Sequence, residues 1–505
     1  MPDLVLRSVM QPGDTMLSDV HIAAGIITRI TPATTQTDAP TLDGRTVIPG
    51  LWDEHVHLTQ WALAGARFDL SSATSAREAL ELMRSHAVAL DRGTSVDASD
   101  RPASQRDPSA RPTPLIGVRF RDAVWADAPT LRGLDEVTHG HPTALISHDL
   151  HCVWLNSAAA ERFNVKVDAS GLLREQAAFN VTIALGQLPN AEVDALAAQA
   201  AQRAAARGVV GIVDFEMTWN RDVWQRRIAA GFDALRVDVG VYLADLDRAI
   251  AERMHTGQKI ADTHGLLTVG PLKLLIDGSL NTRTAFCVDE YPVGGHGVLT
   301  VSEDELTEIL RKAREAGLLP AVHAIGDAAN TVALNAFERS NTTGRIEHAQ
   351  FLQSADFARF ARLGVTASVQ PEHALDDRDA VELNWSAGAD RVFALRSLLD
   401  AGATLAFGSD APVAPLDPFT AMSAASSRAR SDSREPWRPD QVITRSQALA
   451  ASARGRTRLH VGDVADIAVL DGDPLTVSDA VFERMPVAAT LLAGRPTHGA
   501  ALLAP

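Results

Sequence analysis

At 505 residues, 46% of them hydrophobic and 22% charged, the chain has an ordinary globular composition and enough length for about two to four domains. A net charge of −16, with no run of Lys or Arg, argues against a nucleic-acid partner, because phosphate binding needs clustered cations. With only two cysteines, Cys152 and Cys287, neither a disulfide framework nor a Cys-rich zinc site is available, so a metal would have to be held by nitrogen and oxygen.

The first residues, Met1-Pro2-Asp3-Leu4-Val5-Leu6-Arg7, lack the basic and apolar regions of a signal peptide. No apolar run reaches the roughly 18 residues of a membrane span. The expectation is a cytoplasmic protein acting on a small molecule. Residues 1–50 read as short strands: Leu4–Arg7, Asp19–Ile22 and Gly25–Ile30, at a spacing of roughly ten residues. The same texture returns at Asp463–Leu470 and Ala488–Gly494, which predicts one composite β-sandwich domain built from both ends, 1–50 and 455–505.

Between them, apolar runs alternate with Ala-rich helical stretches. The first run, Val47-Ile48-Pro49-Gly50-Leu51-Trp52-Asp53-Glu54-His55-Val56-His57-Leu58, ends in two histidines one residue apart. On a strand such side chains share a face, so both imidazoles can reach one ion. Alone, the pair does not make a metal site. Seven further runs follow at Val209–Asp214, Leu235–Gly240, Leu272–Asp277, Leu319–His323, Gly344–His348, Val365–Gln370 and Thr404–Asp410. Helices are expected over 190–207 and 302–317, the latter opened by a Ser302/Glu305 capping box. Eight buried strands alternating with helices predict a (β/α)8 TIM-like barrel over 51–69 and 181–454. About 150 residues separate the first two runs, far more than a barrel loop. Residues 70–180 are therefore expected to form an inserted subdomain over one barrel mouth, with the Ser/Asp/Arg/Pro-rich stretch from Asp91 to Pro114 exposed.

Polar residues close several of these runs: His55 and His57 the first, His323 the fifth, His348 the sixth and Asp410 the eighth. That is the barrel face where strand ends converge on active sites. Packing alone would put Val or Leu at most of these places. Lys273 lies inside the fourth run. A lysine among apolar neighbours is costly unless paired or changed. It either forms an ion pair with Asp277 or Asp238, or takes up carbon dioxide as a neutral amine to give a carbamate bridging two divalent ions.

Together these residues resemble the amidohydrolase superfamily, specifically the amidohydrolase 3 group of YtcJ-like metal-dependent hydrolases, over essentially the full length. The markers are Pro49–His57, Leu272–Leu280, His323-Ala324-Ile325-Gly326-Asp327, Arg345-Ile346-Glu347-His348-Ala349, Phe407–Val413, His151–Ser157 and Gly462–Ile467. Asn281 stands where that pattern commonly has glycine, and Glu54 where alanine is frequent. The resemblance implies that His55 and His57 hold a buried metal, His323 and His348 a more exposed one, and carbamylated Lys273 bridges them. Asp410 would ligate the buried metal and handle the proton. It also implies one or two divalent ions, Zn²⁺ first, with Mn²⁺ or Fe²⁺ compatible with the ligand set, and a homodimer as the assembly. For substrate contacts, His151, Trp154 and Asn156 are candidate lid-wall residues, with Trp154 equally accounted for as core of the insertion. Arg283 and Thr284 either reach the mouth or sit in surface ion pairs, and His373 lies beyond the seventh strand at the pocket. The expected reaction is metal-dependent hydrolysis of a C–N bond in an amide, formamide or cyclic amide. Deamination or ester or lactone hydrolysis is the alternative on the same fold, and a non-catalytic metal-binding protein the alternative of a different class.

Overall fold

The computed structural model describes residues 4–33, 41–91, 114–186, 188–430 and 434–503. The stretch from Asp91 to Pro114, apart from its two end residues, lies outside them. The chain divides into two units. One comprises Met1–Leu58, Ala197–Asp277 and Ala285–Pro505, the other Thr59–Leu196 and Gly278–Thr284.

In the larger unit, eight strands pair in chain order, each parallel to the next: Leu51–Val56, Val209–Asp214, Arg236–Tyr242, Leu267–Leu275, Pro320–Ala324, Gly344–His348, Val365–Val369 and Leu405–Phe407. These are the eight apolar runs. Their near-continuous burial follows from a parallel sheet covered on both faces. The fourth strand begins at Leu267 rather than Leu272. Gly270-Pro271 within it reads locally as a breaker, and the pairing with the third strand shifts register there, from Val239–Val269 to Val241–Leu272, without ending the strand. The sheet closes on itself: Asp410 N–H donates to His55 O at 2.7 Å, and His57 N–H to Ala411 O at 2.9 Å. A Cβ on Gly408 would lie 2.6 Å from His55 N, so glycine is what lets the eighth strand's end pass this close.

The first and second strands pair irregularly near their C-terminal ends. Ile212 pairs with Asp53 and Asp214 with Val56, so two residues of the second strand span three of the first. The extra residue is a bulge at Glu54–His55, which re-aims side chains that strict alternation would send to opposite faces.

Both ends of the chain share one core. An antiparallel sheet of Leu4–Val9, Ser18–Ala23 and Ile26–Pro32, and another of Thr46–Pro49, Ile467–Leu470, Val487–Leu492 and Arg495–His498, bury Leu6, Val20, Ile27, Val47, Ile467, Val469 and Leu491 together. The two helices expected from the sequence run over Asn190–Ala205 and Glu303–Glu315. Ser302 Oγ accepts from Glu305 N–H at the start of the second. Among the described residues, no helix is long and apolar enough to cross a membrane.

The smaller unit is built on a five-stranded mixed sheet of Phe68–Asp69, Leu115–Phe120, Thr143–Ser147, Cys152–Leu155 and Leu172–Arg174. Alternate residues serve two cores. Leu145, Cys152 and Trp154 face one, and Ala144, Ile146, Val153 and Leu155 the other.

Candidate metal centre

The C-terminal ends of the barrel strands bring the six predicted ligands together. His55 Nε2 and His57 Nε2 each lie 3.4 Å from Asp410 Oδ1, and Lys273 Nζ lies 3.4 Å from His55 Nε2. The His348 ring is 5.0 Å from that of His55 and 4.5 Å from that of His323. One ligand atom each from His55, His348 and Asp410 lie within 4.8 Å of one another. All six residues are buried.

Local backbone turns aim two of them. His348 has φ +74° and Asp410 φ +56°, left-handed conformations that cost a non-glycine residue about 1 kcal/mol or more. The turn that closes the barrel holds Asp410 in its conformation, through its own N–H to His55 O and Val413 N–H to its carbonyl.

Electrostatics set the protonation states. Burial, followed by the Lys273 charge, pulls His55 down to about 4, so it is neutral at pH 7. Its Nδ1 lies 2.6 Å from Glu347 Oε2, so the ring proton sits on Nδ1 and Nε2 offers its lone pair. Burial, and then His323, push His348 well below the usual imidazole range. Burial opposes charge on His57, but the Asp410 hydrogen bond and charge outweigh it and raise its pKa. For Asp410, burial pushes upward, yet His55, His57 and His348 together hold the carboxylate well below its usual range. Lys273 is lowered to about 8 by burial, against the opposing pull of Glu347 and Asp410. Its amine rests 4.6 Å from the Phe215 ring centre. Neither carboxylate suggested for it is its partner: Asp238 pairs with Arg454, and Asp277 accepts from the backbone N–H groups of Phe286, Ile325 and Gly326.

The residues fit a divalent ion. His348, held neutral by burial, has a buried Nδ1 with no hydrogen-bond partner, which is costly in a protein interior unless something else takes the lone pair. Neutral imidazoles beside an ionised carboxylate are the donor set of nitrogen–oxygen metal sites. His55 also has the carboxylate partner on its second nitrogen that fixes a ligating ring.

The predicted substrate contacts divide. His373 is buried in the barrel unit, its ring parallel to that of His348 with centres 6.3 Å apart. In the smaller unit, His151 Nδ1 lies 2.8 Å from Glu175 Oε2, and Thr282 and Thr284 Oγ1 each donate to Glu175 Oε1 at 2.6 Å. Burial opposes the charge, but His151 and the two threonines draw the Glu175 carboxyl down to about 2. Arg283 is exposed, with φ +57°. Two of the candidates are taken up inside the fold, and for Trp154 this is the core alternative. Trp154 is fully buried in the sheet's core with Nε1 donating to Thr130 O, and so presents no wall to a ligand. Asn156 is also fully buried. It caps the helix Ser157–Arg162 and donates to Thr138 Oγ1 and His141 O, which uses up its amide within the fold.

The amidohydrolase family model matches residues 41–498. The chain belongs to this family. Among relatives, it is 25% identical to the putative amidohydrolase YtcJ of Bacillus subtilis, covering 91% of this chain and 90% of that one. It is also 25% identical to the N-substituted formamide deformylase of Arthrobacter pascens, over 90% and 89% of the two chains. An uncharacterized metal-dependent hydrolase from Pyrococcus horikoshii OT3 shares the fold, with a TM-score of 0.74 and 22% identity over 95% of this chain and 99% of that one.

Sequence reasoning missed the residues that hold the predicted ligands in place in this amidohydrolase. Glu347, fully buried, orients His55 and is met by Arg345 Nε at 2.5 Å and Ser368 Oγ at 2.7 Å. Asp214 accepts from Leu58 N–H, Asn220 Nδ2 and Trp224 Nε1, tying the end of the first strand to the second. Each is an acid closing or nearly closing an apolar run, the same signal that marked Asp410.

Proposed function

We propose that the protein is a metal-dependent hydrolase of carbon–nitrogen bonds in a small molecule, acting on an amide, a formamide or a cyclic amide. The observation that carries this reading is the convergence of ligand atoms from His55, His348 and Asp410 within 4.8 Å of one another. In this reading His55, His57 and Asp410 hold a deeper ion, and His323 and His348 an outer one. Carbamylated Lys273 joins the two positions, one or both of them filled. Zinc suits this set best, with manganese or iron next.

When bound, such an ion lowers the pKa of a water from about 15.7 to about 7 and polarises a carbonyl. Asp410 accepts the proton of the attacking water at a carboxylate oxygen and returns it to the leaving nitrogen. The surrounding imidazoles hold this carboxyl ionised, so an oxygen is free of its own proton when the water approaches. Lys273, held near 8 by burial, has a population of neutral amine at neutral pH. Its lone pair adds to the carbon of carbon dioxide, forming the N–C bond and releasing one proton. The likeness to the formamide deformylase favours an N-formyl amine among the candidate substrates.

The test is metal analysis coupled to a substrate panel of N-formyl, N-acyl and cyclic amides beside aminated rings and esters. Chelator should abolish hydrolysis of a C–N substrate, and added Zn²⁺ should restore it. Turnover confined to aminated rings or esters would overturn the substrate class, and protein that binds no divalent ion would overturn the centre.

A further inference from the structure

A row of charges of alternating sign, exposed at Arg454 and buried at Glu54 and Glu347, crosses the barrel from its other end to the centre. Asp238 Oδ2 accepts from Arg454 Nη2 at 2.7 Å, and Arg454 Nε donates to Glu54 Oε1 at 2.6 Å. Glu54 Oε2 and its carbonyl accept from Arg345 at 2.8 and 2.7 Å. Arg345 Nε lies 2.5 Å from Glu347 Oε1, and Glu347 Oε2 lies 2.6 Å from His55 Nδ1. Ser368 Oγ bridges the last two ions, accepting from Arg345 at 2.7 Å and donating to Glu347 at 2.7 Å. The Arg454 guanidinium lies 3.2 Å from the Trp52 ring centre. The outer end of the row (Asp238, Arg454, Glu54 and Arg345) lines a cavity of about 470 Å³ among the N-terminal ends of the strands.

Net stability is a weak reason for the buried members of this row. Replacing a buried ion-pair set by apolar residues of similar volume is often neutral or stabilising. What the row does accomplish is geometric. Arg345 and Glu347, two apart on one strand, share a face, whereas Glu54 and His55 are consecutive and meet them one to one. The bulge of the first strand permits this, since a regular strand would turn Glu54 away from Arg345 or His55 away from Glu347. The His55 ring is thus set by Glu347, which is held by Arg345, and Glu54 and Arg454 hold Arg345 in turn.

We infer that Glu54 and Arg345 are positioning residues for the metal-facing imidazole of His55, acting through Glu347, so that the centre's metal affinity is set from the opposite end of the barrel. The inference rests on the metal centre proposed above.

Metal-free protein is titrated with Zn²⁺ against a chromophoric chelator, for wild type, Glu54→Gln, Glu347→Gln and the double variant. Partners of a ligating His are worth about 10–100-fold in metal affinity. Glu347→Gln should fall in that range and Glu54→Gln should lose about tenfold. In the Glu347→Gln background, Glu54→Gln should change affinity by less than about twofold, because the path it acts through is already cut. Affinity of Glu54→Gln equal to wild type, or losses that multiply in the double variant, overturns the inference. A purely structural role would lower the thermal midpoint of the metal-free protein and leave the affinity unmoved. Should Glu54→Gln fail to fold, Arg454→Lys, at the solvent end of the row, is carried through the same cycle and should weaken binding about threefold. Wild-type protein that takes up no Zn²⁺ removes the centre itself. A wild type that binds, beside an unshifted Glu54→Gln, removes only the positioning role.

Discussion

Two histidine–glutamate pairs, one in each unit, have nearly the same local geometry. His55 Nδ1 meets Glu347 at 2.6 Å in the barrel, and His151 Nδ1 meets Glu175 at 2.8 Å in the insertion. Their surroundings differ. Glu347 is fully buried, and its imidazole turns Nε2 toward Asp410 and Lys273. The Glu175 side chain keeps 30% of its exposure and spends its second oxygen on Thr282 and Thr284. A His–carboxylate pair is therefore a general means of holding a ring. It becomes part of a centre where the ring's other nitrogen meets further groups with lone pairs to give, as at the ends of the barrel strands.

The largest effect should come from removing the base that only the barrel pair faces. Asp410→Asn should keep its metal by elemental analysis yet lose about 10²–10⁴ in turnover, the usual worth of a positioned proton acceptor. Near-normal turnover would sink the role given to Asp410.

The two glutamates can be set directly against each other. Glu347→Gln should weaken metal binding by about 10–100-fold, while Glu175→Gln should leave it within about twofold. The second variant should instead show its effect in acid. The folded carboxyl of Glu175 sits at about 2 against an ordinary 4.5. The stabilisation it supplies is complete above pH 4.5 and is lost as pH falls toward 2. Discounted for partial exposure, it is at most about 3 kcal/mol. Acid unfolding followed by circular dichroism should be less steep over that window in Glu175→Gln than in wild type. Identical profiles would mean that the pair is not formed in solution.

The smallest effect concerns Lys273. With its pKa near 8, the neutral fraction of the amine in metal-free protein rises from about a tenth at pH 7 to about nine-tenths at pH 9. Uptake of ¹³C-labelled carbon dioxide, read by NMR, should rise about ninefold across that range and be absent in Lys273→Met. A signal that persists in the variant would assign the carbamate to another amine.

The eight strands are legible because a sheet buried on both faces needs continuous apolar runs, and a histidine or aspartate closing such a run departs from what packing requires. His55, His57, His323, His348 and Asp410 carry that signal one at a time, and Lys273 carries it as a charge among apolar neighbours. Trp154 and Asn156 show the limit of this reasoning. A tryptophan or asparagine in an apolar run reads the same whether it packs a core, caps a helix or lines a pocket, and only the fold distinguishes these.

The chain by itself determined which strand-end positions carry side chains of metal-ligand type and where along each strand they stand, because strand burial and side-chain alternation are short-range rules. Tertiary structure alone decided what holds them. Glu54 meets Arg345 and Arg454 across hundreds of residues of sequence, and the bulge that lets Glu54 and His55 act together leaves no mark in the hydrophobic period. Pairings of that kind exist only once the barrel has closed.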